Sequence, residues 1–129
     1  AIMVLGAGTT DATPTIMTAG GVAGTTNQVI LPNNSAYYFK GRIIAGVTGA
    51  GNTAAWTFEG AIKRGANAAS TVIVGTVNTS LVAQDAGAST WTFTATADTT
   101  NGGLAVTVTG QLATTIRWVC EVETTEMTY

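Results

Sequence analysis

The sequence contains no histidine among its 129 residues. Histidine is the commonest general base and a frequent metal ligand, so its absence removes the usual catalytic triad and most zinc sites. The single cysteine, Cys120, cannot form a disulfide within the chain and has no histidine to activate it as a nucleophile. A glycosidase needs two carboxylates at one bond, and Glu121 and Glu123 could share one face of a strand. Two carboxylates in this arrangement are, however, far more often part of a solvated strand surface. The sequence therefore predicts a protein that is not an enzyme and has no catalytic residue, cofactor or metal site.

Charged residues are also scarce, at 9% of the sequence against ~25% in an average globular protein. The net charge is −2 with five cations, so no basic patch is available for nucleic acid. No apolar run reaches the ~18 residues of a membrane-spanning helix, so we expect no membrane insertion. The first residues lack an initiator methionine and the basic start of a signal peptide, so we expect a fragment or a processed product.

The low charge leaves few groups to cover the surface of a monomer. Glycine, alanine and threonine stand where lysine and glutamate are usually found. We interpret this deficit as surface that contacts another chain, and we expect an oligomer. A neutral, threonine-rich surface, common in secreted and viral β proteins, is the alternative.

Apolar and polar residues alternate with a period of two in five segments, which is typical of strands with one buried face. The clearest is residues 114–124, where Arg117 is expected to pair with an acidic neighbour on the same or the adjacent strand. Turn signals recur every ~8–12 residues, and no segment has helical periodicity. The sequence predicts an all-β fold, an antiparallel β-sandwich or jelly-roll-like body of about seven to eight strands with no significant helix.

The alternation is regular only from residue 28, and we assign residues 28–129 to the β-sandwich domain. Residues 1–27 are rich in glycine, alanine and threonine, with short apolar islands. This segment is too small to bury a core alone. We expect an N-terminal connector or a segment that contacts another subunit.

The three tryptophans, Trp56, Trp91 and Trp118, lie on the apolar faces of their predicted strands. We therefore expect them in the core rather than on a sugar-stacking surface. Cys120 shares the apolar face of the last strand, and we expect a buried, unreactive thiol that packs as a small hydrophobic residue.

Several stretches together resemble a known family. They are Leu31-Pro32-Asn33-Asn34-Ser35 through Gly60, Leu81-Val82-Ala83-Gln84-Asp85, Asp98-Thr99-Thr100-Asn101, and Thr115-Ile116-Arg117-Trp118-Val119 to Glu123. The most specific part is the Ile-Arg-Trp-Val strand, preceded by an Asn-Gly turn and an alternating strand. Over residues 28–126 the chain resembles the C-terminal β-sandwich domain of bacteriophage tail-fibre and tailspike-like proteins.

This resemblance implies a non-catalytic structural module in the virion tail, the terminal domain of a homotrimeric fibre or spike. Its expected roles are trimer assembly and attachment to a host-cell surface glycan or protein receptor. Its other partner would be the remainder of the parent fibre or spike. Two alternatives remain open: a carbohydrate-binding module of a secreted enzyme, and an assembly chaperone domain of a tailspike.

Two groups of candidate site residues follow. Loops carry binding on rigid β scaffolds, so we predict receptor contacts from polar loop residues: Asn33, Asn34, Ser35, Asn52, Thr99, Thr100 and Asn101. Subunit contacts are predicted from apolar residues of the first segment and from apolar residues on otherwise polar strand faces: Ile2, Val4, Leu5, Ile44 and Val119.

Overall fold

The computed structural model describes residues 1–129 and contains nine β-strands and two 3-10 turns. The strands are β1 (Ile2–Thr9), β2 (Thr15–Ile16), β3 (Val29–Ile30), β4 (Ser35–Gly46), β5 (Thr53–Arg64), β6 (Val72–Gln84), β7 (Thr92–Asp98), β8 (Gly103–Thr109) and β9 (Ile116–Thr128). The 3-10 turns are Ala68–Ser70 and Ala86–Ala88. No helix is long and apolar enough to span a membrane.

The strands form two antiparallel sheets, which confirms the predicted all-β sandwich class. The larger sheet has five strands in the order β1-β9-β4-β5-β6. In the smaller sheet, β8 pairs with β7 along its length and with the short strands β2 and β3. The strand number exceeds seven to eight because residues 1–27, expected to be a connector or a subunit contact, contain the strands β1 and β2.

Residues 72–84 form one strand, β6, although apolar and polar residues do not alternate regularly along its whole length. Two register shifts explain this irregularity, because they interrupt the alternation without ending the strand. One shift lies between Glu59 and Ala61 of the partner strand, opposite Gly75, which has a φ of +68°. The positive φ suits glycine, which has no Cβ to clash.

The first strand belongs to the larger sheet of the sandwich. β1 pairs with β9 from Ile2–Glu123 to Thr9–Ile116. This pairing places Leu5 opposite Cys120 and leaves it only 1% exposed, so Leu5 is a core residue and is not available to a neighbouring subunit. Residues 1–27 thus contribute a strand to the same body as residues 28–129.

The chain then crosses from the larger sheet to the smaller one and closes this side of the sandwich. The Thr18 N–H donates to the Gly6 carbonyl of β1 at 3.1 Å, and the Gly6 N–H donates to the Thr18 carbonyl at 2.8 Å. The Met17 N–H donates to the Val106 carbonyl of β8 at 2.8 Å, and the Met17 side chain is fully buried. Adjacent residues therefore link the two sheets.

The space between the sheets is filled by aromatic rings, each of which contacts at least one other ring. Trp118 stacks on Trp56 with ring centroids 5.7 Å apart and packs against Trp91 at 6.0 Å. Phe93 of the smaller sheet contacts Trp56 at 5.9 Å, and it also contacts Phe58 at 5.5 Å. The predicted burial of all three tryptophans is confirmed.

Burial of an indole requires a partner for its N–H. The Nε1–H of Trp118 donates to the Oγ1 of Thr9, itself buried, at 2.9 Å. The Nε1–H of Trp91 donates to the Oε1 of Gln111 at 3.1 Å. Both rings therefore leave water without losing a hydrogen bond.

Two glycines make room for the phenylalanines. Gly41 faces Phe58 across β4 and β5, and a Cβ on Gly41 would lie 2.0 Å from the Phe58 ring. Gly60 faces Phe39 in the same way, with 2.9 Å to the ring. The glycines are therefore core positions, where even one methyl group would overpack the interior.

Cys120 is buried, as predicted. Burial raises the pKa of its thiol to about 12, so the thiol stays protonated at neutral pH. Because the thiolate is the nucleophile, low reactivity remains our expectation for this residue.

Candidate functional site

The outer face of the larger sheet is organised in rows that cross the strands, because facing residues on paired strands project to the same side. One row is apolar from edge to edge, and we call it the apolar band. Its members occupy successive register positions from β1 to β6: Gly6, Val119, Ile44, Ala55 and Ala83. Ile44 is 54% exposed and Val119 is 41% exposed, so the band meets solvent in the isolated chain.

Beside the band lies a cluster of paired charges. The Nη1 of Arg42 lies 3.0 Å from the Oε1 of Glu121 and 2.7 Å from the Oε1 of Glu123. The Arg42 guanidinium lowers the pKa of Glu123, and the pKa of Arg42 is raised mainly by its hydrogen bond to Glu123. The Tyr38 hydroxyl donates to the Glu59 carboxylate on the same face. On this side of the band, the charges of Arg42, Glu121 and Glu123 are therefore paired within the chain.

Arg117 lies on the other side of the band and forms no ion pair, contrary to the pairing expected from the sequence. Its register neighbours are Gly8 on β1 and Gly46 on β4, neither of which has a side chain. The basic residue that contacts the acidic face of β9 is Arg42. The alternation along β9 could not identify it, because the pairing depends on the register of a strand distant in sequence.

Shallow grooves follow the band. A groove of about 390 Å³ contains Ile44, Val119, Ala55 and Val82, with Arg42 and Glu121 among its lining residues. A neighbouring groove of about 370 Å³ shares Ile44 and Val119 and also contains Arg117. A larger groove of about 820 Å³ runs beside β1 and the 15–21 segment, and shares Val119 and Arg117. The three grooves adjoin through residues of the band.

The other predicted subunit-contact residues fall partly on this face. Ile2 and Val4 of β1 face Glu123 and Glu121 of β9, and both are exposed. They extend the apolar surface along the β1 edge, whereas Leu5 points into the core. The sequence did not identify Val82 or Ala83, because the alternation of β6 is hidden by its register shifts. It also did not identify Ala55, which lies on β5 opposite Ile44.

The predicted receptor loops divide between the two ends of the sandwich. At one end, Arg64 joins the Asn33 loop to the turn after β7. Its Nε donates to the Oδ1 of Asn33 at 3.0 Å, and its Nη1 donates to the Leu31 carbonyl at 2.7 Å and to the Gly102 carbonyl at 3.2 Å. The loop containing Asn52 lies at the opposite end, between β4 and β5. Asn33, Asn34, Thr99 and Thr100 are exposed at the first end.

Ser35 is an exception among the loop candidates. Its side chain is fully buried, and its hydroxyl donates to the Pro32 carbonyl at 2.8 Å. It stabilises the turn that precedes β4 and cannot reach a ligand. The pattern Asn-Asn-Ser identified the turn, but it did not show which of its side chains face solvent.

Asp98 holds the turn that presents Thr99, Thr100 and Asn101. Its carboxylate accepts hydrogen bonds from the Thr100 N–H at 3.0 Å, the Asn101 N–H at 3.0 Å and the Asn101 Nδ2 at 2.8 Å. The Gln28 Nε2 donates to it at 3.1 Å from the segment before β3. Burial acts to raise the pKa of Asp98, but the hydrogen bonds outweigh it and lower the pKa.

The described residues include no group of three or more His, Cys, Asp or Glu side chains close enough to hold a metal ion. The buried tryptophans offer no ring for sugar stacking. The exposed polar groups at the ends are amides and hydroxyls, which can exchange hydrogen bonds with sugar hydroxyls or with peptide groups.

Comparison with known proteins gives a structural similarity and no sequence match. No family model matches the chain. No curated protein matches it. Among solved structures, the crystal structure of the Acinetobacter phage vB_ApiP_P1 tailspike protein is similar, at 18% sequence identity and a TM-score of 0.38. The similarity covers 100% of this chain and 22% of that chain, so this chain spans about a fifth of the tailspike's length.

The hydrogen bonds to Asp98 predict a specific acid sensitivity. A pKa lowered by folding stabilises the folded state above the unfolded-state value of ~3.9, and this contribution is lost as the pH falls through the folded-state pKa. We expect Asp98→Asn to unfold at lower urea at pH 7 and to lose less stability on acidification than the unmodified chain. Urea midpoints between roughly pH 7 and pH 3, at fixed protein concentration, measure this.

The matched control is Asp85→Asn at the other end of the sandwich, where the carboxylate accepts the Thr53 N–H at 2.9 Å. It should change the acid dependence less, since fewer donors contact it. An Asp98→Asn curve parallel to that of the unmodified chain would contradict the assignment.

Proposed function

We propose that this chain is a non-catalytic structural module of a bacteriophage tail fibre or tailspike, the terminal domain of a homotrimer. In this role it assembles the trimer and attaches the virion tail to a host-surface glycan or protein. The phage assignment rests on the resemblance of residues 28–126 to tail-fibre and tailspike domains. The structural observation that supports the assembly role is the exposed apolar band on the outer face of the larger sheet.

The band is apolar and carries no charge, which suits the buried centre of a subunit interface. Burial of apolar surface contributes ~25 cal/mol per Å², and branched side chains such as Ile44 and Val119 contribute most per residue. The cluster of Arg42, Glu121 and Glu123 lies one row away and is already paired. A neighbouring subunit could cover the band without leaving these charges unmatched, which would otherwise oppose association.

Attachment is assigned to the end of the sandwich where Arg64 joins two loops. The polar side chains of Asn34, Thr99 and Thr100 are exposed there. The loops that carry them are held by hydrogen bonds of Arg64 and Asp98. A rigid framework lowers the ordering cost of binding, which favours this end over an unsupported loop.

The assembly role predicts that Ile44→Lys reduces the oligomer. A lysine at the centre of the band would place a charge in a contact that excludes water, so we expect monomers at micromolar concentration. The fold should persist, because Ile44 points away from the core. Light scattering after size exclusion measures the mass, and the far-UV spectrum checks the fold.

The matched control is Thr94→Lys, an exposed position on β7 of the other sheet. This variant should remain a trimer. A monomeric unmodified chain at micromolar concentration would overturn the assembly role and favour a monomeric carbohydrate-binding module instead.

The attachment role predicts loss of binding in a triple variant, Asn34→Gly, Thr99→Ala and Thr100→Ala. None of these side chains carries a hydrogen bond that holds its turn, and glycine suits the φ of +58° at Asn34. On a glycan array, and on cells bearing any glycan that is recognised, we expect at least a tenfold loss, about 1.4 kcal/mol.

Asn52→Ala at the opposite end serves as the comparison and should leave binding unchanged. A loss with Asn52→Ala alone would move attachment to the other end. Unchanged binding in both variants would remove the predicted loops from the attachment surface.

A further inference from the structure

The two edges of the larger sheet differ in how they are protected. The β1 edge is occupied at its centre, where Gly6 exchanges two backbone hydrogen bonds with Thr18. The β6 edge has no such cover, because β6 pairs only with β5. An open edge normally carries charged residues or proline that discourage association.

β6 contains no charged residue and no proline across its 13 residues. Four of its large apolar side chains are exposed: Val72, Val74, Leu81 and Val82. By register Val72 and Val74 project to the outer face of the sheet, while Leu81 is paired with Trp56 and projects to the inner side, where it is still 52% exposed. Both faces of this edge strand therefore present apolar surface.

Two kinds of strand pairing between copies do not fit these edges. A β6 strand cannot extend the sheet of a neighbour at β1, because Thr18 holds the middle of that edge. Two β6 strands could pair only about a two-fold axis, and the register shifts near Gly75 and Val82 interrupt the regular hydrogen-bond spacing that such pairing needs. A three-fold assembly instead needs two different surfaces that fit each other.

We propose that, in the trimer, β6 of one subunit packs by its side chains across the apolar band of the next subunit. This inference rests on the proposed homotrimer and specifies its contact. A head-to-tail contact between edge and face repeats three times and closes a ring. The partner that covers the apolar band is therefore a second copy of this chain.

Charge and size agree with this contact. β6 brings no charge to the band. On one side of the receiving band Arg42 is paired with Glu121, and on the other side Arg117 has no ion pair within the chain. A stable contact needs ~800 Å² per partner, or ~20–30 residues on each side. β6 has 13 residues and each flanking 3-10 turn adds three, which is close to that number of residues.

Cysteine cross-linking tests the contact directly. Ile44→Cys is combined, in separate double variants, with Val72→Cys, Val74→Cys, Thr79→Cys or Leu81→Cys. Ile44 faces Ala55 on β5, and Val74 faces Ala61, six residues further along the same strand. Ile44 and Val74 are therefore ~20 Å apart along the strand direction, and cysteines at these two positions cannot form a disulfide within one chain. The single variants and the unmodified chain, each with buried Cys120, are the controls.

After mild oxidation, at least one double variant should shift from the monomer band to covalent dimers and trimers on a non-reducing gel. The single variants should stay monomeric on that gel, because a head-to-tail contact does not place identical residues together. Self-cross-linking of Ile44→Cys alone would overturn the proposal. A trimer by light scattering with no cross-link in any double variant would overturn it too, while leaving the proposed trimer intact. A monomer by light scattering would overturn both.

Discussion

The packing of aromatic rings against glycines between the two sheets is the constraint on which the rest of the structure depends. Phe58 lies over Gly41, and Phe39 lies over Gly60, because β4 and β5 pair in one register. A shift of either strand by one residue would turn the buried rings of that strand to solvent. The same register places the Trp56 ring of β5 against the Trp118 ring of β9, so these two strands are in contact through the core. It therefore fixes both faces of the larger sheet at once.

The outer face is a direct consequence of that register. Once the rings point inward, the residues between them must form rows across the opposite face. Neighbouring rows differ in polarity: one contains the charged residues Arg42 and Glu121, and the next contains the apolar residues Ile44 and Val119. In the row on one side of the apolar band, Arg42 is paired with Glu121 and also reaches Glu123. This separation of charged and apolar rows makes the band suitable for contact with another subunit.

The sequence predicted the core better than the surface contacts. A period of two along one strand is a local property, so the buried positions of Trp56, Trp91, Trp118 and Cys120 could be predicted from it. The partner of Arg117 could not, because it depends on which strands lie beside β9. Leu5 was expected at a subunit contact for a related reason: residues 1–27 cannot bury it alone, and only the long-range pairing of β1 with β9 does so.

The loops show the same limit. Their turn residues were recognisable from the sequence. However, Ser35 lies between Arg64 of β5 and Thr128 of β9, and Arg64 bridges segments that are ~30 residues or more apart. Likewise, β6 could not be recognised as one strand, since Gly75 and the extra residue near Val82 break its period.

Hydroxyl-radical footprinting of the unmodified chain tests the central claim, that the apolar band is covered by a neighbouring subunit. The rate of side-chain oxidation at Ile44 and Val119 is compared with that at Leu112, which is 77% exposed in the loop between β8 and β9. If a neighbouring subunit covers the band, Ile44 and Val119 are protected at concentrations where the chain is assembled, and Leu112 is oxidised freely. Oxidation of Ile44 and Val119 in the assembled state at the rate expected for their exposure in a single chain would contradict that claim.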